Sequence, residues 1–233
     1  MFELRDVVAG YGDATVLRGV SLVVPPSSVV ALLGANGAGK TTTLKVASGL
    51  LPTRSGRVLV DGRDMTNAPA HDLASAGVCH IPEGRGIFRN LTVRDNLSMS
   101  SRAGREDEDL EKCIDAFPIL GERLSQMAGT LSGGQQQMLA LARAYVQESS
   151  VVLLDEVSMG LAPAIIDDIF EFLHRLAAQG TAMLLVEQYV QRALEIADYV
   201  YVLRRGTVSF VGEPAELEGQ DLFAQYLGED SIH

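Results

Sequence analysis

A glycine-rich string at Gly34–Thr41, GANGAGKT, fits the pattern G-x-x-x-x-G-K-[ST] at each of its fixed positions. An apolar run, Val29–Leu33, precedes it, and residues compatible with a helix, Thr42–Ala47, follow it. A loop between a strand and a helix can turn its backbone N–H groups toward an anion, and the helix dipole adds positive potential there. The string therefore predicts a site for the phosphates of a nucleotide, in which Gly37 and Gly39 give the backbone the freedom to curl.

The polar side chains of this loop have separate roles. Lys40 places a positive charge beside the β- and γ-phosphates, and the Thr41 hydroxyl reaches a bound Mg²⁺. The alternative is a chance glycine-rich turn, which the flanking strand and helix argue against. The residues that we expect to contact the nucleotide are Gly34, Ala35, Asn36, Gly37, Ala38, Gly39, Lys40, Thr41 and Thr42.

Two adjacent acids follow another apolar run, Val151–Leu154. A continuous apolar run of this length suits a strand buried on both faces of a parallel sheet. Its carboxyl end then delivers Asp155 and Glu156 to the edge where such sheets bind ligands. We expect Asp155 to hold Mg²⁺, directly or through water, and Glu156 to orient and polarise the attacking water.

A second short string, LSGGQ, comprises Leu131, Ser132, Gly133, Gly134 and Gln135. It stands at the start of a stretch with helical periodicity, Gln135–Val146, which is again an arrangement suited to an anion. The chain already has one complete phosphate loop. A second phosphate-binding string therefore calls for a second nucleotide.

Together these strings resemble the ATPase subunits of ATP-binding-cassette (ABC) proteins. The resemblance implies ATP and Mg²⁺ as ligands, and a pair of subunits in which the phosphate loop of one and the LSGGQ string of the other enclose each ATP. Tyr11, between Gly10 and Gly12, stands where an aromatic residue stacks on the adenine ring in this family. Packing against neighbouring residues is the other interpretation of Tyr11.

Two residues place the chain more closely within the family. Glu83 stands where glutamine is expected in a loop that contributes to the metal site, and Gln188 stands where the switch histidine is expected. With the string Asp155–Pro163, they resemble the second ATPase subunit of branched-chain amino acid importers (LivF type). This implies catalytic roles for Glu156 and Gln188, whose amide hydrogen-bonds but does not titrate near neutral pH. ATPase subunits of urea or short-chain amide importers carry closely similar strings, so both cargoes stay open.

Val157 departs from that subfamily, in which proline usually follows the glutamate. Proline fixes φ and shapes the turn that follows it. The sequence therefore predicts a softer loop through Ser158–Gly160, with consequences for dimer geometry rather than for nucleotide binding.

The importer interpretation implies several partners. A second ABC ATPase subunit would complete a heterodimer, although the isolated chain can also homodimerise. Two multi-spanning membrane permease subunits would hold the pair at the cytoplasmic face of the cell membrane, and an extracytoplasmic solute-binding protein would act indirectly. The segment around Glu83–Leu97 would transmit ATP-driven closure to a cytoplasmic helix of a permease. The rivals are a soluble ABC protein that acts on ribosomes or DNA, and a regulatory ATPase that senses nucleotide through dimerisation.

Length, charge and cysteine content limit the remaining possibilities. The 233 residues suit one large domain, and 47% hydrophobic residues indicate a well-buried globular chain. A net charge of −11 without a basic patch argues against a nucleic-acid partner. Cys79 and Cys113 lack metal-ligand spacing and suggest a reduced pair. Without a signal peptide or an apolar stretch near the ~20 residues that span a bilayer, we expect a soluble chain that reaches membranes through partners.

The first third of the chain must supply short strands around the phosphate loop. We predict strands at Phe2–Val8, Val20–Val24 and Arg57–Val60, the first of them ending at a turn over Gly10–Gly12. Near the end of the core, we predict a hairpin of two strands, Tyr199–Leu203 and Thr207–Val211, with Gly206 at its turn.

The predicted organisation is a single ABC ATPase domain in three parts. The nucleotide core covers about 1–78 and 150–212, a helical subdomain is inserted at about 79–149, and a helical tail follows at about 213–233. The fold class is α/β, a P-loop NTPase core of mainly parallel sheet with an N-terminal antiparallel β-subdomain.

Overall fold

The computed structural model describes residues 1–84, 86–101 and 104–218. Its strands are β1 (Phe2–Tyr11), β2 (Ala14–Val24), β3 (Val29–Leu33), β4 (Ser55–Val60), β5 (Arg63–Asp64), β6 (Val78–Ile81), β7 (Val151–Asp155), β8 (Ala182–Val186), β9 (Tyr199–Arg204) and β10 (Thr207–Gly212). Its helices are α1 (Lys40–Ala47), α2 (Ala70–Ser75), α3 (Val93–Ser98), α4 (Glu106–Ala116), α5 (Pro118–Gly121), α6 (Gly133–Val146), α7 (Pro163–Ala178), α8 (Val190–Ile196) and α9 (Pro214–Glu218).

The larger sheet has the strand order β10-β9-β3-β8-β7-β6. Its pairs are parallel except for the antiparallel hairpin of β9 and β10, so the prediction of a mainly parallel α/β sheet is confirmed. Every residue of β3, β7 and β8 is buried, as expected for continuous apolar runs covered on both faces. The hairpin turns at Gly206, whose φ of 82° lies in the region that glycine adopts without strain.

The smaller sheet is antiparallel, with the order β2-β1-β4-β5, which confirms the N-terminal β-subdomain. Three predicted bounds were wrong, one of them by two residues, because β4 begins at Ser55 rather than at Arg57. Strand β1 continues through Gly10 to Tyr11, and β2 begins at Ala14 rather than at Val20. Glycine permits this pairing because a Cβ at position 10 would lie 2.0 Å from the carbonyl oxygen of Ala14.

Two hydrophobic clusters lie on opposite faces of the larger sheet. Val30 and Leu32 of β3 belong to the cluster that faces the smaller sheet and α1, while Ala31 and Leu33 belong to the one that faces α6, α7 and α8. This alternation follows from the two-residue period of a strand. Strand β3 is thereby held rigidly where the phosphate loop leaves it.

The inserted helical segment begins later than the sequence suggested. Residues 79–81 belong to β6, which pairs in parallel with β7 at the edge of the larger sheet. Val78–Ile81 pair one by one with Val151–Leu154 of β7. The strand therefore continues three residues beyond Val78, because backbone hydrogen bonding continues for as long as the two strands run side by side. The predicted tail is helical at α9, and its residues 219–233 lie outside the described residues.

Arg143 of α6 ties the segment after β6 to the helical part. Its guanidinium donates hydrogen bonds to the Gly86 carbonyl at 2.5 Å and to the Ser100 hydroxyl at 2.9 Å. Its central carbon also lies 4.7 Å from the centroid of the Phe88 ring, within the range of a cation–π contact. The helix that starts at the LSGGQ string is therefore fastened to the chain that follows Glu83.

Among residues 1–84, 86–101 and 104–218, no helix combines the length and the apolar character needed to cross a membrane.

His80 of β6 gives the fold a measurable pH dependence. Both ring nitrogens are buried and lack a hydrogen-bond partner in the described part of the chain. Burial lowers the pKa of His80 from 6.5 to about 4, and the positive charge of Lys45 adds to the effect. Between these pH values the unfolded chain binds a proton that the native chain does not bind. The free energy of unfolding must therefore fall as the pH falls through this window.

We predict that His80→Leu removes this contribution. Urea unfolding at pH 7.5 and pH 4.5 should show a loss of stability on acidification that is smaller in the variant than in the parent, by about 2–3 kcal/mol. The exposed Gln179 supplies the control, because its amide does not titrate and Gln179→Ala should leave the pH dependence of the parent unchanged. Equal losses in the parent and in His80→Leu would contradict the assignment.

Candidate functional site

The phosphate loop joins β3 to α1 and is held close to neighbouring backbone. A Cβ on Gly34 would lie 2.3 Å from the carbonyl oxygen of Leu203. Gly39, with a φ of 113°, is the N-cap of α1. The loop is pinned from the β9–β10 hairpin, because the Gly206 N–H donates to the Ala38 carbonyl at 2.9 Å. These contacts explain why glycine stands at both ends of the loop.

Lys40 lies inside the curl of the loop. Its side chain is buried, and its ammonium donates hydrogen bonds to the carbonyl oxygens of Gly34 at 2.7 Å and Ala35 at 3.4 Å. Burial lowers the pKa of Lys40, and the charges of Glu156 and Asp155 oppose this shift. The site thus holds a buried cation where the sequence predicts phosphates.

The most informative contact of the site joins Thr41 to Asp155. The Thr41 hydroxyl donates to the Asp155 carboxylate at 3.2 Å, so the first turn of α1 meets the carboxyl end of β7. Asp155 is 2% exposed. Burial raises the pKa of Asp155 to about 6, and the charges of Glu156 and Glu83 add to the shift against the Thr41 hydrogen bond and the Lys40 charge.

This contact fits a small divalent cation. A hydroxyl oxygen and a buried carboxylate, with further carboxylate charge close by, are the oxygen ligands that Mg²⁺ prefers. In the described part of the chain, no group of three or more His, Cys, Asp and Glu side chains could hold a metal ion. A cation here would therefore need ligands from water or from a nucleotide as well.

Glu156 follows Asp155 in a strained conformation. Its φ is 48°, in the left-handed region that non-glycine residues seldom occupy. Its N–H donates to the Val186 carbonyl at 2.9 Å, and its carbonyl accepts from the Met159 N–H at 3.2 Å. Residues held in this way cluster at functional sites, where the surrounding structure maintains the strain.

The carboxyl ends of the neighbouring parallel strands β3, β8, β7 and β6 lie together at the edge of the sheet that holds Asp155 and Glu156. Glu83 is exposed shortly after β6, and its negative charge is one of the causes that raise the pKa of Asp155. Gln188 is exposed two residues after β8, and its N–H donates to the Glu187 carboxylate at 3.3 Å. The predicted metal and catalytic residues therefore gather at the carboxyl edge of the larger sheet.

Tyr11 ends β1 and is 46% exposed. The ammonium of Lys45, on α1, lies 5.7 Å from the centroid of the ring. The ring is not committed to the core, so stacking on a base stays a prediction that this placement permits.

The LSGGQ string forms the first turn of α6. Ser132 is the N-cap, and its hydroxyl accepts from the Gln135 N–H at 3.3 Å while the Gln135 side chain accepts from the Ser132 N–H at 3.1 Å. The helix thus begins at Gly133, two residues before the predicted start. Gly134 is needed for packing, since a Cβ there would lie 2.6 Å from a methyl group of Ile165 on α7. Among the hydrogen bonds of the described residues, none joins this string to the phosphate loop.

Sequence reasoning missed Glu187 and Ser158. Both side chains are buried, and the Ser158 hydroxyl donates a short hydrogen bond to the Glu187 carboxylate. Burial raises the pKa of Glu187 to about 7, and the charge of Glu156 adds to it, while hydrogen bonds from Ser158 and Gln188 oppose it. The position of an acid directly after an apolar strand was the available signal.

A phosphate loop, a buried carboxylate beside its threonine and a parallel sheet covered on both faces define a P-loop NTPase. The chain belongs to the ABC transporter ATPase family, whose model matches residues 17–159. It is 40% identical to the high-affinity branched-chain amino acid transport ATP-binding protein BraG of Pseudomonas aeruginosa, over 89% of this chain and 91% of that protein. It is 38% identical to a probable branched-chain amino acid transport ATP-binding protein, LivF, of Archaeoglobus fulgidus, over 96% of each chain.

Solved structures agree with this assignment. The ATP-binding subunit of an ABC transporter superposes with a TM-score of 0.84 at 28% identity, covering 94% of this chain and 92% of the other. The resemblance inferred from the sequence strings is therefore confirmed at the level of family and fold, and with it an ATPase that binds nucleotide.

Two glycines of the phosphate loop should separate folding from binding. In Gly34→Ala the new methyl group meets the Leu203 backbone, so we expect a loss of about 3 kcal/mol or more in the free energy of unfolding. At Gly37, with a φ of 80°, a Cβ meets open space, and Gly37→Ala should cost only about 1–2 kcal/mol for its left-handed backbone. Thermal unfolding and binding of a fluorescent ATP analogue would measure both effects.

The expected pattern is the larger loss of melting temperature for Gly34→Ala, and a loss of only about 2–8 °C with weakened nucleotide binding for Gly37→Ala. Equal melting temperatures for the two variants would contradict the close approach of Gly34 to β9.

Proposed function

We propose that this chain is the ATP-binding and ATP-hydrolysing subunit of an importer for branched-chain amino acids. The observation that carries the proposal is the contact between Thr41 and Asp155, with Lys40 and Glu156 beside it. The proposed cargo, branched-chain amino acids, is taken from the names of the relatives BraG and LivF, which are 40% and 38% identical to this chain.

The nucleotide would lie along the phosphate loop with its adenine on Tyr11. Backbone N–H groups from Gly34 to Thr42 would face the phosphates, and Lys40 would exchange its hydrogen bonds to the loop carbonyls for bonds to phosphate oxygens. Stacking on an aromatic ring is worth about 1–3 kcal/mol per base, so Tyr11 adds affinity without being essential.

Thr41 and Asp155 would hold Mg²⁺, with Glu83 close enough to influence it. When bound, Mg²⁺ neutralises charge on the β- and γ-phosphate oxygens. The raised pKa of Asp155 fits this role, because a cation beside the carboxylate would stabilise its ionised form.

Glu156 would act as the base that orients and polarises water, and Gln188 would hydrogen-bond the γ-phosphate or that water. Glu156 is half-buried at the edge of the sheet, next to the Asp155 carboxylate. The left-handed backbone of Glu156, held by its hydrogen bonds to Val186 and Met159, fixes where its side chain leaves the main chain next to Asp155. Most of the catalysis would come from positioning and from charge stabilisation.

The LSGGQ string would serve a second ATP, bound to a partner subunit. Its Gln135 side chain is engaged with Ser132, which leaves the N–H groups of Gly133 and Gly134 at the start of α6 to meet an anion. Cassettes of this family dimerise, and we propose a heterodimer with a second ABC ATPase. The isolated chain would homodimerise if no partner were supplied.

The surface around Phe88 and Met99 would dock a membrane permease. Both side chains are exposed and apolar, at 43% and 60%, and large exposed apolar side chains are common at interaction sites. Arg143 joins this surface to α6, so docking and the LSGGQ string would move together. Two multi-spanning permeases would place the chain at the cytoplasmic face of the cell membrane, with an extracytoplasmic solute-binding protein delivering cargo.

Glu156→Gln should separate hydrolysis from binding. Removing the base should lower phosphate release by at least about 100-fold. Binding of ATP should persist, and a closed dimer should accumulate with ATP on size-exclusion chromatography. Glu171→Gln, an exposed substitution on α7, is the control and should behave as the parent. Parental hydrolysis by Glu156→Gln would remove the base assignment.

The cargo can be tested in the host by deleting the gene and measuring uptake of labelled leucine, isoleucine, valine and urea. We expect loss of branched-chain amino acid uptake, restored by the parent gene and not by the Glu156→Gln gene. Loss of urea uptake alone would replace the cargo with the amide alternative. Unchanged uptake of all four solutes would remove the importer function and leave the ATPase chemistry standing.

A further inference from the structure

A buried carboxylate connects two loops of the site. Glu187, directly after β8, is 3% exposed, and Ser158, in the loop between β7 and α7, is 0% exposed. One carboxylate oxygen of Glu187 accepts the Ser158 N–H at 3.2 Å. The other accepts the Ser158 hydroxyl and, at 3.3 Å, the Gln188 N–H.

We propose that Glu187 is a positioning residue that makes the β7–α7 loop (Glu156–Ala162) and Gln188 move as one unit. The proposal rests on the proposed function, in which Glu156 and Gln188 act on the same ATP. Glu187 itself touches neither nucleotide nor metal in this scheme, and acts only through Ser158 and Gln188.

The loop is built to pass a displacement inward. Its tip is exposed at Met159 and Gly160, and the Met159 N–H donates a hydrogen bond to the Glu156 carbonyl at 3.2 Å. Ser158 lies beneath this tip with its hydroxyl and N–H both committed to Glu187. A force on the tip therefore reaches Glu187 through two hydrogen bonds, and Gln188 through a third.

A carboxylate is a costly choice if the position needs only packing. Burying an ionised group without a cation is unfavourable, and the described chain shows no Lys or Arg paired with Glu187. Glu156 adds a like charge nearby. The arrangement instead uses both carboxylate oxygens as acceptors, which an apolar residue could not provide.

The neutral amide of the same shape tests this geometry. Glutamine has one acceptor oxygen and one NH₂ group, so in E187Q either the Ser158 N–H or the Gln188 N–H must face a donor. One of the three hydrogen bonds that Glu187 accepts from Ser158 and Gln188 would be lost, while the volume of the core stays the same. S158A removes the hydroxyl connection from the other side.

The experiment measures ATP hydrolysis by the full chain, with KM and kcat determined separately, for the parent, E187Q, S158A and the double variant. We expect kcat to fall about 10-fold in each single variant, with the KM for ATP within twofold of the parent. The double variant should lose little more than either single one, because both break the same connection. Thermal unfolding is followed in parallel, and E3Q is the control, since Glu3 is a buried carboxylate of β1 paired with Arg5.

E3Q should keep the parental kcat. A kcat within twofold of the parent in E187Q, or losses that multiply in the double variant, would overturn the proposal. If E187Q does not fold, S158A decides alone: a tenfold loss of kcat at parental KM supports the connection, and a parental kcat overturns it. A parent that binds ATP without hydrolysing it would instead count against the proposed function, so the two failures are distinguishable.

Discussion

The register of β7 between β6 and β8 fixes where every acidic group of the site lies. Leu154 is opposite Ile81 on one side and Leu185 on the other, and Asp155 is opposite Val186. A slip of one residue would exchange the faces of the sheet and turn Asp155 away from Thr41. The buried apolar residues of three neighbouring strands prevent that slip, because each is packed against one of the two cores.

Within this frame the site concentrates charge that it does not neutralise. Burial raises the pKa of Asp155 to about 6 and lowers the pKa of Lys40. Such groups are costly in the free protein. They become favourable when a ligand supplies the opposite charges, and a nucleotide with a divalent cation supplies both at once.

Connections between loops give the site its mechanical character. Gly206 holds the phosphate loop from the β9–β10 hairpin, Arg143 holds the chain after Glu83 to α6, and Glu187 holds Ser158 to Gln188. Each connection joins segments that are distant in sequence. Displacement of the helical part or of the β7–α7 loop therefore has a physical route to the residues proposed to act on ATP.

The sequence by itself determined the strings predicted to bind phosphate, the strand that delivers Asp155 and Glu156, and the family, because these depend on short patterns of residue type and local backbone. It placed the strands around Gly10 and β6 less well, because pairing with a neighbouring strand decides where a strand ends. Only the tertiary structure decided that Gly34 must meet Leu203, that Arg143 reaches Gly86, and that Glu187 is buried against Ser158. Those contacts join residues far apart along the chain, and their geometry is set by packing and hydrogen bonding rather than by any local pattern.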